Sequence, residues 1–233
     1  MSSLSSSSTL QPYQVELINK AMACGALKFG QFTLKSGRIS PYFFNAGLLS
    51  SGSILAALAD AFASTIISKL HSISGSIPEF DVLFGPAYKG IPFAAITALH
   101  LHTHHNISVG FSYARKEVKD HGEGGTLVGS SLKGKKVVIL DDVMTAGTAV
   151  REAINVVKKE GGEVVGVVQC LDREEVGKDG ESSTVAEVEG IVGQGRVKAI
   201  LRMRDLIAWL ERSGTMNDEL DSMRAYQAQY GLK

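Results

Sequence analysis

The sequence predicts an α/β fold, a mostly parallel central sheet flanked by helices, and three observations carry that expectation. Short apolar runs of strand length alternate with longer segments of helical period, an order that produces parallel strands joined by crossover helices. The runs Asp81–Gly85, Lys136–Asp141 and Val164–Leu171 are apolar enough to be buried strands of a covered sheet. Finally, 233 residues with 44% apolar and 21% charged composition suffice for one good-sized core, so a single domain is the default.

The elements follow in order. Residues 1–12 form a serine-rich lead, expected to be flexible, and 13–233 form the domain. Val15, Ile18 and Met22 recur at helical spacing between Tyr13 and Cys24, and Gly25 supplies a stop. Phe29–Leu34 and Tyr42–Asn45 are short and β-like around the Ser36-Gly37-Arg38 turn. An apolar helix spans Ser53–Leu70, and the strand Asp81–Gly85 leads into a helix at Ile91–His102. The strand Ile107–Tyr113 precedes a polar, glycine-containing stretch, Ala114–Gly125, which reads as a mobile loop. The strand Lys136–Asp141, the helix Thr148–Glu160 closed by Gly161-Gly162, and the strand Val164–Leu171 complete the centre. A helix capped by Thr184 with Glu187 three residues on, a strand Arg196–Leu201, and helices Met203–Arg212 and Asn217–Gln229 end the chain.

Composition narrows the function classes. The formal net charge is +0, so no global field recruits nucleic acid or an anionic membrane. Asp60 and Ser64-Thr65 interrupt the most apolar helix, which therefore does not read as membrane-spanning. The N-terminus lacks the basic and apolar regions of a secretory signal. Cys24 and Cys170 show no metal-ligand spacing and read as buried reduced thiols of a cytoplasmic protein.

The segment Val137–Ala149 carries the chemistry. A buried strand delivers Asp141 and Asp142 to the carboxyl edge of the sheet, where α/β proteins bind ligands. Thr145, Ala146, Gly147 and Thr148 then form a strand-to-helix turn with unpaired N–H groups, a favourable helix dipole and hydroxyls, which together suit a phosphate. Gly147 permits close approach. Carboxylates are acceptor-only, so they suit ribose hydroxyls or, through water, Mg²⁺. A lone Asp here would be a cap or a solvated strand end, but the whole group asks for a phosphorylated sugar.

Val137–Ala149 resembles the phosphoribosyl pyrophosphate (PRPP) motif of the type I phosphoribosyltransferases. From about Gly25 to Arg173 the chain resembles, more narrowly, the orotate phosphoribosyltransferases of stand-alone fungal or bacterial type. Three further segments carry that likeness: Phe32–Arg38 with Ser40–Asn45, Gly85–Pro92, and Arg115–Gly124. The resemblance implies the type I phosphoribosyltransferase fold with a small N-terminal hood, built partly from about 25–50. It also implies Mg²⁺-dependent transfer of the 5-phosphoribosyl group from PRPP to N1 of orotate, giving orotidine 5′-monophosphate and pyrophosphate in pyrimidine synthesis. PRPP would be bound by Lys35, Tyr88, Lys89, Arg115, Lys116, Lys119, His121, Asp141, Asp142, Val143, Met144, Thr145, Ala146, Gly147, Thr148 and Ala149. Orotate would meet Lys35, Phe43, Phe44, Thr145 and Arg173. Mg²⁺ would be held mainly through PRPP and water near Asp141 and Asp142. Lys119, Asp141 and Asp142 would be catalytic, with Lys119 carrying the largest effect. The family also implies a homodimer whose Arg115–His121 loop reaches the neighbouring subunit's site.

The residues allow separate readings beside that likeness. Arg115, Lys116 and Lys119 balance Glu117, Asp120 and Glu123, so the loop is no simple basic patch. A mobile cationic loop can nevertheless stabilise a leaving pyrophosphate and exclude water; otherwise it is a solvated hairpin. Lys89 follows a strand and precedes a helix, placing it to reach a phosphate oxygen or solvent. Phe43 and Phe44 cannot both face one side of a strand, so at least one belongs to the core. Arg173 offers a planar fork to a carboxylate, or is a surface charge. Gly129–Lys136 imitates a Walker A loop but lacks the Ser/Thr and precedes its strand. His100, His102, His104 and His105 lie at a helix end, mostly without ligand pairing or supporting carboxylates, and read as a solvated terminus. The rivals are a phosphoribosyltransferase for another base and a non-catalytic PRPP sensor; the latter finds no basic nucleic-acid surface.

Overall fold

A computed structural model of the chain describes residues 9–34, 36–70, 77–119, 125–144, 147–177 and 183–232. Its elements are α1 (Pro12–Ala23), β1 (Leu27–Thr33), β2 (Ile39–Phe44), a 3-10 turn (Ala46–Leu48), α2 (Gly52–Leu70), β3 (Val82–Phe84), α3 (Gly90–His105), β4 (Gly110–Lys119) and β5 (Gly125–Gly129). Then follow β6 (Lys136–Val143), α4 (Thr148–Lys159), β7 (Glu163–Asp172), α5 (Thr184–Val192), β8 (Val197–Arg202), α6 (Met203–Ser213) and α7 (Asn217–Tyr230).

The main sheet has the order β5-β4-β3-β6-β7-β8, and β1 and β2 form a separate antiparallel pair, the hood. Every neighbouring pair in the main sheet is parallel except β4–β5. Strand β6 shows how sequence period builds the layers. Val137 and Ile139 pack with Val150, Ile154 and Val157 of α4 and Val188 of α5. Val138 and Leu140 face the other way, into the core made by α1, α2, α3, α6 and α7. Two-residue alternation in a strand covered on both faces makes all four positions apolar. Burying each such side chain contributes roughly 1.5–3 kcal/mol. The same alternation sends Asp141 and Asp142 to opposite faces at the strand's carboxyl end.

Several expectations shift. The strand expected at Ile107–Tyr113 begins only at Gly110 and continues to Lys119, so much of the expected loop Ala114–Gly125 is β-structure. Its partner β5 was not expected; it pairs Val128 with Tyr113 and Gly125 with Lys119. Cross-strand pairing overrides the loop-like composition of these arms. Ser183, not Thr184, caps α5, its Oγ accepting the Ala186 N–H at 3.1 Å. Glu187 instead meets Arg151 of α4 at 3.0 Å. Cys24 is exposed at the end of α1, whereas Cys170 is buried in the core. Among the described residues no helix is long and apolar enough to cross a membrane.

Candidate active site

Two crossover connections open at the same edge of the sheet. The first, from β3 to α3, is hinged by Gly85 and Gly90. A Cβ on Gly85 would lie 2.2 Å from the Gly90 carbonyl oxygen, and one on Gly90 would lie 2.7 Å from that of Leu140. Only glycine lets this turn lie against β6. The close approach delivers Lys89, whose Nζ stands 2.6 Å from Asp142 Oδ2. Asp142 faces α3 through the alternation of β6, which is why it meets Lys89.

Asp141 takes the other face and is buried, with 7% of its surface exposed. Burial, reinforced by the Asp142 charge, pushes its carboxyl up to about 6 from an ordinary 3.8. Burial and both carboxylates likewise hold the Cys170 thiol well above its usual range, so it is a packed, inert group.

The second connection runs from β6 to α4. Gly147 has φ +68°, and a Cβ there would meet Thr184 Cγ2 at 2.6 Å and Arg151 Nη1 at 3.0 Å. Thr148 and Ala149 are exposed at the first turn of α4, and Val143 and Met144 are half-buried. The Met144 N–H donates to Gln169 Oε1 at 2.9 Å, so buried Gln169 fixes the exit of β6. Thr145 and Ala146 lie outside the described residues, as do Lys35 and His121.

Strand β4 adds the cationic flank. Lys116 Nζ lies 4.7 Å from the centre of the Tyr88 ring, joining β4 to the β3–α3 turn. Among the described residues, Arg115 Nη1 is buried with no hydrogen-bond partner, an unmet donor beside this edge. Lys119 ends β4 with its backbone opposite Gly125.

A third group surrounds Arg173, just beyond β7. Its Nε donates to Glu175 Oε1 at 2.7 Å, its Nη2 donates to Ser40 Oγ at 2.8 Å, and its guanidinium lies 4.3 Å over the Tyr42 ring. Tyr226 of α7 donates its hydroxyl to the same Glu175 oxygen at 2.9 Å, and Arg38 approaches the other at 3.5 Å. Arg173 is thus clamped between hood and sheet, and its fork holds more donors than these two bonds consume. In the hood, Phe43 is 41% exposed and stacks on Phe32 with centroids 5.5 Å apart. Phe44 turns inward: its ring belongs to the core, leaving Phe43 as the ring on the open face.

The structure therefore unites Tyr88, Lys89, Lys116 and Asp142 directly, sets Asp141 beside them, and ties Arg173 to the hood. Gln169, Ser40, Glu175 and Tyr226 are supporting residues that sequence reasoning missed. Gln169 carried a signal, as a polar residue inside the apolar run Val164–Leu171, and Glu175 stands two residues from Arg173; Ser40 and Tyr226 reach the group only through folding.

A parallel sheet with paired acids, a glycine-hinged lysine turn and a helix N-terminus at one edge suits a phosphorylated sugar, and the comparisons give that class a name. The family model for the phosphoribosyl transferase domain matches residues 51–189. The orotate phosphoribosyltransferase of Photorhabdus laumondii is 50% identical over 96% of this chain and 100% of its own length. That of Pseudoalteromonas translucida is 49% identical over the same shares. The crystal structure of orotate phosphoribosyltransferase from Francisella tularensis superposes with a TM-score of 0.80 at 38% identity, covering 93% of this chain and 100% of that one. The chain belongs to the phosphoribosyl transferase family and, within it, to the orotate phosphoribosyltransferases.

Proposed function

We propose that the Asp141–Asp142 edge binds PRPP and that the Arg173–hood group binds orotate, so that the chain makes orotidine 5′-monophosphate and pyrophosphate in pyrimidine synthesis. The observation that carries the placement is the convergence of Lys89, Lys116 and the Asp141–Asp142 pair from three separate segments. The acceptor is supported by relatives of about 50% identity named for orotate.

Orotate N1 attacks the anomeric carbon as the bond to pyrophosphate oxygen breaks; the pyrophosphate takes the electron pair and N1 gives up its proton. Charge builds on the leaving group and on the ribose ring. Arg115, Lys116, Lys119 and His121 neutralise the former, and Lys89 turns from Asp142 toward pyrophosphate when substrate arrives. Asp141 and Asp142 orient the ribose hydroxyls. The turn 143–149 grips the 5′-phosphate with backbone N–H groups and threonine hydroxyls. Arg173 engages the orotate carboxylate or carbonyls, with Phe43 against the ring, and Lys35 and Thr145 complete the acceptor site.

The residues fit Mg²⁺. Two adjacent acids supply hard oxygen donors, and the Asp141 carboxyl is raised by its burial first and by the Asp142 charge second, the latter being charge that a divalent ion offsets. When bound through PRPP and water near Asp141 and Asp142, Mg²⁺ supplies charge neutralisation to the pyrophosphate. We further propose a homodimer in which the Arg115–His121 segment serves the neighbouring site. A cytoplasmic setting accords with the free thiols Cys24 and Cys170.

A spectrophotometric assay with PRPP, Mg²⁺ and, in turn, orotate, uracil, hypoxanthine and adenine tests the reading. Turnover of orotate is expected. Consumption of another base but not orotate would overturn the acceptor, and PRPP binding without turnover of any base would make the chain a sensor.

A further inference from the structure

At the opposite edge of the sheet, where the strands begin, lies a polar cluster that the phosphoribosyl reaction does not use. Val82 at the start of β3 pairs with Gly110 at the start of β4, and α3 runs back between them, so its last turns sit at this edge. The histidines there were expected to lack a supporting carboxylate, and the fold supplies one from α2. His100 Nε2 lies 3.4 Å from Asp60 Oδ1. One ligand atom from each of Asp60, His100 and His105 lies within 4.8 Å of the other two.

One of these spacings already matches what a small divalent ion requires. Bonds of about 2.0–2.2 Å at tetrahedral angles place ligand atoms roughly 3.4 Å apart. The Asp60–His100 pair already stands at that separation. His105 is exposed at the last residue of α3, so a rotamer change can close the remaining gap. The other two ligands have a firm base, because α2 and α3 pack through Phe62 and Phe93 with ring centroids 5.7 Å apart. The His104 ring stacks on His100 at 4.1 Å and 12°, holding that imidazole in place. Burial, with His104 and His105 close by, lowers the His100 pKa despite the opposing pull of Asp60.

We infer that Asp60, His100 and His105 form a binding site for one divalent ion of the zinc class, with water completing its shell. Two imidazoles and one carboxylate favour such borderline ions over Mg²⁺, which prefers an all-oxygen shell. The bound ion would bridge α2 to α3 and stiffen the core away from the catalytic edge.

The test is calorimetric titration of Zn²⁺ into the chelator-treated full-length protein, with excess Mg²⁺ present to mask Asp141 and Asp142. One Zn²⁺ per chain is expected. H105A and D60N should each weaken it by more than the roughly 10–100-fold that loss of a supporting outer-shell partner costs. H102A, altered outside the cluster, should bind as the parent does. Zn²⁺ should also raise the melting temperature of the parent and H102A but not of H105A, and Mg²⁺-dependent turnover by H105A should be unchanged. Absence of a one-to-one heat overturns the site, and so does unaltered affinity in both H105A and D60N.

Discussion

Asp141 pays for its position in stability. Its buried carboxyl titrates near 6 in the folded chain against 3.8 ordinarily. A raised folded value means that this group's favourable contribution is complete below 3.8 and is lost as pH rises through about 6. At neutral pH the ionised form therefore costs on the order of 3 kcal/mol without ligand. Asp141→Asn should accordingly raise the melting temperature of the ligand-free chain at neutral pH by roughly 2–10 °C, while nearly abolishing turnover. The gain should vanish near the ordinary carboxylate pKa, where Asp141 is itself protonated. Calorimetric melts of both chains at the two pH values decide the matter, and an unchanged or lower neutral-pH melting point contradicts it. At this scale the paired acids were legible because two adjacent carboxylates at the end of a buried strand are unusual, whereas Lys89 and Arg173, each readable as a surface charge, were singled out by the resemblance. The Lys89–Asp142 pair was not, since 53 residues separate them and nothing local joins them.

The β3–α3 connection shows what one element boundary demands. Gly90 sits where a Cβ would press on both Pro86 and the Leu140 carbonyl of β6. Gly90→Ala should therefore push the turn off the sheet and cost about 1–3 kcal/mol. Because that turn bears Tyr88 and Lys89, the PRPP KM should rise while the orotate KM changes little. Urea unfolding with steady-state kinetics checks this, and an unshifted midpoint with parental KM values would refute it. Helices and buried strands were readable from their periods and punctuation to within a few residues. The β4–β5 pair was not, because Arg115 to Lys119 lies in a stretch with the composition of a loop and is strand only through its pairing with β5. The Phe43-Phe44 pair was half legible: alternation required one core ring, and only the packing of β2 against the core decided which.

At the scale of the whole molecule, the proposed dimer makes its own prediction. If the Arg115–His121 segment serves the neighbouring site, Lys119→Ala and Asp142→Asn chains, each inactive alone, should regain activity when mixed and allowed to exchange. Random pairing gives heterodimers in half the population, each with one intact site, so roughly a quarter of parental activity is expected. Sedimentation shows the dimer and co-purification of two differently tagged chains shows exchange, and a mixture of exchanged dimers without activity assigns the segment to its own subunit. The sequence by itself determined the alternating α/β architecture, the buried strand ending in Asp141-Asp142, and the glycine-marked turns beside it. Those features are written in hydrophobic period and in local backbone requirements, which neighbouring residues settle among themselves. Only the tertiary structure decided that Lys89 meets Asp142, that Glu175, Ser40 and Tyr226 clamp Arg173, and that Asp60 faces His100 and His105. Apart from the bond between the near neighbours Arg173 and Glu175, each of these contacts joins segments far apart in the chain, and the packing of the whole core sets their separation.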